Sequence, residues 1–150
     1  MAQYARLAAF IIVVLGAGFA IGTTNLPGAW YGGLHKPPFN PPDWVFAPVW
    51  SVVYVLIAMA GWRTWERAPR SPAMALWATQ MVLNFMWSPV FFTAHRTGLA
   101  LMIIIAMFVV IMSFVASQWR ADRVAAWLFA PYAVWVAFAT LLNASIFALN

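Results

Sequence analysis

The sequence predicts an all-α integral membrane protein: one domain over residues 1–150, a bundle of five transmembrane helices with its N-terminus inside. Three observations predict it. First, 65% of the residues are hydrophobic and 7% are charged, against about 25% charged in soluble domains, so no water-facing surface can be built from this chain. Second, five windows carry no charge: Leu7 to Leu34, Trp44 to Trp62, Ser71 to Ala94, Thr97 to Trp119 and Val124 to Asn150. A spanning helix needs roughly 20 mostly apolar residues. Third, runs such as "LALMIIIAMFVVIM" (Leu99 to Met112) are apolar on every face. That suits helices in lipid and not the alternation of a barrel strand.

The first span is read as Ala5–Leu26. Its long apolar run, with one Arg before it and no clear small-residue cleavage site, reads as a membrane span rather than a signal peptide. Gly18 and Gly22 form a small-xxx-small pair within it, suited to dimerisation or to close packing inside the bundle. A long linker follows, Pro27 to Asp43, with paired prolines at Pro37-Pro38 and Pro41-Pro42. Proline fixes its own φ and restricts the residue before it, so this loop is expected to be stiff and to cover the mouth of the bundle as a lid. The second span is Trp44–Trp65, with Asp43 expected as its N-cap and Pro48 near its start. The third is Pro72–Thr93, containing a weaker small-residue pair, Ala75 and Thr79. The fourth is Gly98–Trp119 and the fifth Arg123–Ala148. Short linkers after the second, third and fourth spans make neighbours antiparallel.

Charge sets the orientation. Arg6, Arg63, Arg67, Arg70, Arg120 and Arg123 fall on one side, and only Lys36 and Arg96 on the other. Basic residues concentrate in cytoplasmic loops, so the N-terminus is placed inside, with the proline loop and C-terminus outside. The net charge of +5 therefore implies no nucleic-acid partner. His35-Lys36 and His95-Arg96 make two basic pairs at the outer side, read as solvated interfacial groups or as contacts for an anionic ligand.

The ten tryptophans need more than one explanation. Trp30 and Trp44 suit the outer aromatic belt and Trp62, Trp65, Trp119 and Trp127 the inner one. Trp50, Trp87 and Trp135 lie too deep, where an indole N–H needs a partner. Helical spacing puts Phe46, Trp50 and Tyr54 on one face of the second span. It aligns Trp77, Gln80, Asn84 and Trp87 on the third, and Tyr132, Trp135, Ala139, Leu142 and Asn143 on the fifth. Amides are costly against lipid, so Gln80 and Asn84 are expected to face the interior. Apolar walls with a few polar groups fit a small-molecule site, and they equally fit helices that pack and hydrogen-bond without a ligand.

No Ser/His/Asp set, HExxH, P-loop or GxGxxG occurs, and the absence of cysteine rules out disulfides and thiolate metal sites. Asp43, Glu66 and Asp122 all sit at span ends, which argues against a proton pump. No resident metal or cofactor is expected.

"GLHKPPFNPPDWVFAPVWSVVY", "LNFMWSPVFF" and "PYAVWVAFATLLN" resemble the first-loop, third-span and fifth-span signatures of the translocator protein family, also called tryptophan-rich sensory proteins. The resemblance implies a five-helix bundle that dimerises, with a pocket beneath the first loop for porphyrins such as protoporphyrin IX and haem, for sterols and for isoquinoline-type drugs. It implies that Trp50 and Trp135 are the tryptophans associated with light-dependent porphyrin breakdown. Phe46, Tyr54, Asn84, Ala139 and Leu142 would line the pocket with them, and Trp87, Asn143, Trp30 and His35 are added as candidate ligand contacts. It favours Ala75 and Thr79 over Gly18 and Gly22 as the homodimer contact. The tail "LLNASIFALN" departs from the family's sterol motif: no Tyr, Lys or Arg follows Leu142, so sterol binding through that motif is not expected. Binding protein, light-dependent enzyme and lipid-filled scaffold all remain open from sequence.

Overall fold

A computed structural model describes residues 2–150. The described residues form six α-helices: α1 (Ala2–Thr24), α2 (Ala29–Gly33), α3 (Phe46–Arg67), α4 (Pro72–Ser88), α5 (Thr97–Ala121) and α6 (Arg123–Leu149). No strand occurs among the described residues. Among the described residues, four stretches are long and apolar enough to cross a membrane: Ala2–Thr24, Asp43–Arg67, Thr97–Ala121 and Arg123–Leu149. The chain is an integral, multi-pass membrane protein.

The third expected span is the exception, and proline is the reason. As an α-helix, α4 has 17 residues, about 26 Å at 1.5 Å per residue. Pro89 has no N–H to continue the α ladder. The chain continues as a π-helical turn, Pro89–Thr93, closed by Ala94 N–H donating to the Pro89 carbonyl (2.9 Å). His95 then takes a left-handed conformation (φ 55°), one that His tolerates better than most side chains.

Within the first loop, α2 forms a turn of helix between Gly28 and Leu34. One local expectation is corrected. Asp43 is not the N-cap of the second span. It opens a 3-10 turn, Asp43–Val45, and α3 begins at Phe46 with no side-chain cap. Pro48 lies in the first turn of α3, as expected.

The other caps follow sequence rules. Ser71 Oγ accepts from Met74 N–H (3.2 Å) with Pro72 at the first helical position of α4. Asp122 Oδ1 accepts from Val124 N–H (3.1 Å) and Ala125 N–H (3.4 Å), starting α6. Such caps are worth about 0.5–2 kcal/mol.

In the bundle, α3 packs between α1 and α6, and α5 between α4 and α6. The main core includes Val53, Ile57, Ile104, Phe114, Phe129 and Tyr132. A second cluster around Tyr31, Phe91 and Leu142 joins α2 to the π turn after α4 and to α6. Gly18 is buried in α1 and used within the chain: a Cβ there would collide with the Tyr54 ring, whereas Gly22 faces open space. Gly61 of α3 similarly makes room for the Trp77 ring, whose N–H donates to the Ile57 carbonyl (2.9 Å). Ala75 and Thr79 are exposed on α4.

Basic groups do gather at one end. Arg6 pairs with Glu66. Arg63 grips Asp122 with two bonds (Nε to Oδ2 2.9 Å, Nη2 to Oδ1 3.0 Å), and Arg67 Nε lies 3.2 Å from the same carboxylate. Burial pushes the Asp122 carboxyl up, but the Arg63 hydrogen bond, the Ala125 amide and the two guanidinium charges outweigh it and hold the group below its ordinary range.

Candidate functional site

The deep tryptophans of α3 and α6 meet. The ring centroids of Trp50 and Trp135 lie 6.4 Å apart at 87°, an edge-to-face arrangement that places the positive edge of one ring on the negative face of the other. Phe46 packs edge-on to Trp135 at 5.8 Å, Tyr54 lies 5.3 Å from Trp50 and Phe138 5.6 Å from Trp135.

Behind them runs a directional hydrogen-bond chain across three helices. Tyr54 OH donates to Asn84 Oδ1 (2.9 Å), Asn84 Nδ2 donates to Tyr132 OH (2.9 Å), and Tyr132 OH donates to Gln80 Oε1 (2.9 Å). Each side chain both stabilises and orients the next. Asn84 and Gln80 are buried, at 5% and 0% exposure, as the cost of an amide against lipid required. Gln80 Nε2 and Trp135 Nε1 are buried with no partner. An unmet buried donor costs about 1–3 kcal/mol, so both are places where an acceptor would be stabilising.

Not every expected residue joins this group. Trp87 N–H donates to Asn143 Oδ1 (3.1 Å), and Asn143 Nδ2 donates to the Thr97 carbonyl (3.0 Å), so this pair ties α4, α6 and the start of α5 together. Leu142 belongs to the second cluster and Ala139 to the main core. Trp30 stacks on His95 at 4.1 Å and 15°, away from the Trp50–Trp135 pair. His35 is exposed, and its backbone rather than its ring is held: its N–H donates to Asn150 Oδ1 (2.9 Å) and its carbonyl accepts from Asn150 Nδ2 (3.0 Å).

A cavity of about 730 Å³ opens beside the aromatic group, between α3 and α6. Its walls are apolar: Pro48, Val49 and Val52 on α3, and Pro131, Trp135 and Phe138 on α6. Trp135 is the one expected ligand contact that lines it. The remaining lining residues were missed by sequence reasoning, although Pro131 within an apolar run was a usable signal. A proline inside a helix leaves the carbonyl four residues earlier without its usual donor.

The chain has relatives that cover most of its length. The model of the TspO/MBR family matches residues 8–149. The chain belongs to the TspO/MBR family. Protein CrtK of Rhodobacter capsulatus is 32% identical over 96% of this chain and 92% of that protein. The tryptophan-rich protein TspO of Archaeoglobus fulgidus is 36% identical over 97% of each. The human translocator protein is 33% identical over 76% of this chain and 70% of its own length.

Proposed function

We propose that this chain binds tetrapyrroles such as protoporphyrin IX and haem where α3 and α6 meet, and acts in their transport, in sensing or in the regulation of porphyrin levels. The observation that carries the reading is Trp135. It is at once a wall of the 730 Å³ cavity, the partner of Trp50, and the holder of an unmet buried N–H. A flat macrocycle offers aromatic faces to the indoles. Its propionates would meet Lys36 or Arg96 at the outer mouth. The names of the relatives, a sensory protein and a translocator, accord with a protein that registers or moves a small molecule.

In this reading the chain crosses the membrane five times, α4 and its π turn together forming the third pass. The N-terminus is inside, and the first loop covers the site from outside. Exposed Ala75 and Thr79 supply the homodimer contact. Sterols and isoquinoline drugs share the apolar chemistry of the cavity and would compete there.

Titrating protoporphyrin IX into purified protein while following Trp fluorescence tests the proposal. The expected result is saturable quenching at micromolar ligand, weakened at least about tenfold by Trp135→Ala, a loss of about 1.4 kcal/mol. Linear, unsaturable quenching that is indifferent to Trp135 would leave a lipid-filled scaffold instead.

One observation favours a second reading, light-dependent porphyrin breakdown. Trp50 lies 6.4 Å from Trp135 and 6.3 Å from Tyr132, so oxidisable rings are grouped at the ligand. Illumination of the bound porphyrin with and without oxygen decides it. Identical products and rates in Trp50→Phe and Trp135→Phe would remove these residues from any such reaction.

A further inference from the structure

The basic end of the bundle carries a second cavity, of about 410 Å³, remote in chemistry from the tryptophan pair. No aromatic side chain lines it. Its walls include Thr64 and Arg67 of α3, Ser71 at the start of α4, and Ser117 and Gln118 of α5. Beside them the wall is apolar, with Ala68, Pro72, Ala73 and Ala121, so the cavity offers a guanidinium and an amide next to an apolar surface, a pairing that suits an amphiphile. We infer that this cavity binds the phosphate ester headgroup of an anionic membrane lipid.

The charge arithmetic supports an anion. One carboxylate, Asp122, faces two guanidiniums. Arg63 alone satisfies it through both oxygens. Arg67 touches it at 3.2 Å and donates to the Ala121 carbonyl (2.8 Å), which fixes the guanidinium at the cavity wall while its side chain stays 55% exposed. One positive charge is therefore in surplus. Arg70 and Arg120 neighbour the lining residues Ser71 and Ala121 in sequence, and the opening turn of the 17-residue α4 adds the partial positive charge of its N–H groups.

Gln118 points to the rest of the headgroup. It is buried at 5% exposure, yet its Nε2 makes a single 3.4 Å contact, to Ser117 Oγ, and no donor among the described residues reaches its Oε1. An amide with an open acceptor beside a surplus cation fits a phosphate ester bearing a hydroxyl: Arg67 binds the phosphate oxygens and Gln118 accepts from the hydroxyl. Basic pockets between helices at a membrane surface are suited to such headgroups, and the volume lies within the roughly 300–1,000 Å³ of small-molecule sites.

The test uses the full chain in detergent, with thermal unfolding and native mass spectrometry as readouts. Short-chain phosphatidylglycerol is expected to raise Tm saturably and to remain bound, whereas phosphatidylcholine of the same chain length does neither. Arg67→Gln should weaken the response about tenfold, since a charge-assisted bond is lost. Because Arg67 also touches Asp122, Ser117→Leu provides a second variant: Ser117 Oγ donates to its own helix at Phe114 (2.8 Å) and accepts only the long 3.4 Å contact from Gln118 Nε2, so Leu fills the cavity at the cost of that one weak contact. A response to inorganic phosphate with phosphatidylglycerol inert would assign the site to a free anion and overturn the lipid. Equal responses to both lipids, untouched by either variant, would overturn the site altogether. Protoporphyrin quenching should be unchanged in Ser117→Leu, so the outcome here does not depend on the tetrapyrrole reading.

Discussion

At the scale of single residues, Asn84 holds the site's geometry. Its side chain accepts from Tyr54 and donates to Tyr132, so three helices share its two ends. Tyr54→Phe removes one interhelical bond, which within membranes averages about 0.6 kcal/mol. Asn84→Ala removes two, leaving the half-buried Tyr54 hydroxyl without its acceptor and the buried Tyr132 hydroxyl without the Asn84 donor, at about 1–3 kcal/mol. Thermal unfolding in detergent should therefore rank Asn84→Ala clearly below Tyr54→Phe. Equal melting points would mean that the chain of bonds does not act as drawn. Sequence made Asn84 and Gln80 readable as interior residues because an amide in lipid is costly. It also put Tyr132 on the right face of the fifth span. It did not reveal that the Tyr132 hydroxyl joins Asn84 to Gln80, because a hydrogen-bond direction depends on atoms brought together from three helices. Sequence put Trp30 in the outer belt and Trp135 deeper, yet both stood as candidate ligand contacts. Only the fold shows that one stacks on His95 while the other meets Trp50.

At the scale of elements, local chemistry explains both the agreements and the misses. α6 runs from Arg123 to Leu149, close to the expected Arg123–Ala148, because Asp122 caps it strongly and no charge interrupts the rest. The third span changes character at Pro89 because the proline removes one ladder donor, a consequence hydropathy cannot register. α2 was missed since five residues bounded by glycines give no periodicity to read. The Asp122 corner yields a pH prediction. Its folded pKa is held below the ordinary value, near 3.9 for Asp, so the carboxylate contributes stability that is fully present above that value. That stability is lost as pH falls through the lowered folded pKa. Melting points should be flat from neutral pH down to about 4 and fall below it as Arg63 and Arg67 lose their anion. In Asp122→Asn the protein should be less stable at neutral pH, and the acid-side drop should shrink. An unchanged acid limb would assign the loss to other groups.

At the scale of the molecule, the question is whether the first loop acts on the proposed site or merely connects two spans. The structure shows a segment tied at several points. Pro37 is buried, Tyr31 OH donates to Asn40 Oδ1 (3.1 Å), Lys36 Nζ sits 4.5 Å above the Tyr31 ring, and the backbone of His35 exchanges two bonds with the Asn150 side chain. The first loop and the C-terminal residue, far apart in sequence, thus meet. Asn150 was the unreadable part, because nothing in a terminal polar residue says which distant backbone it will grip. The paired prolines limit the conformations available to the loop when it is not docked. Relaxing such a position to Gly costs about 0.4–1 kcal/mol each through added freedom, hence about 2–4 kcal/mol for Pro37, Pro38, Pro41 and Pro42 together as an upper bound. If the loop closes over the ligand, part of that cost appears in binding. The quadruple Gly variant should bind protoporphyrin IX about tenfold more weakly, equivalent to 1.4 kcal/mol, while the membrane helices keep their helical circular dichroism. Asn150→Ala, which cuts the tether without changing the loop's own stiffness, should weaken binding in the same direction by less. Unchanged affinity in both variants would reduce the loop to a connector and leave the α3–α6 cavity as an open-sided site.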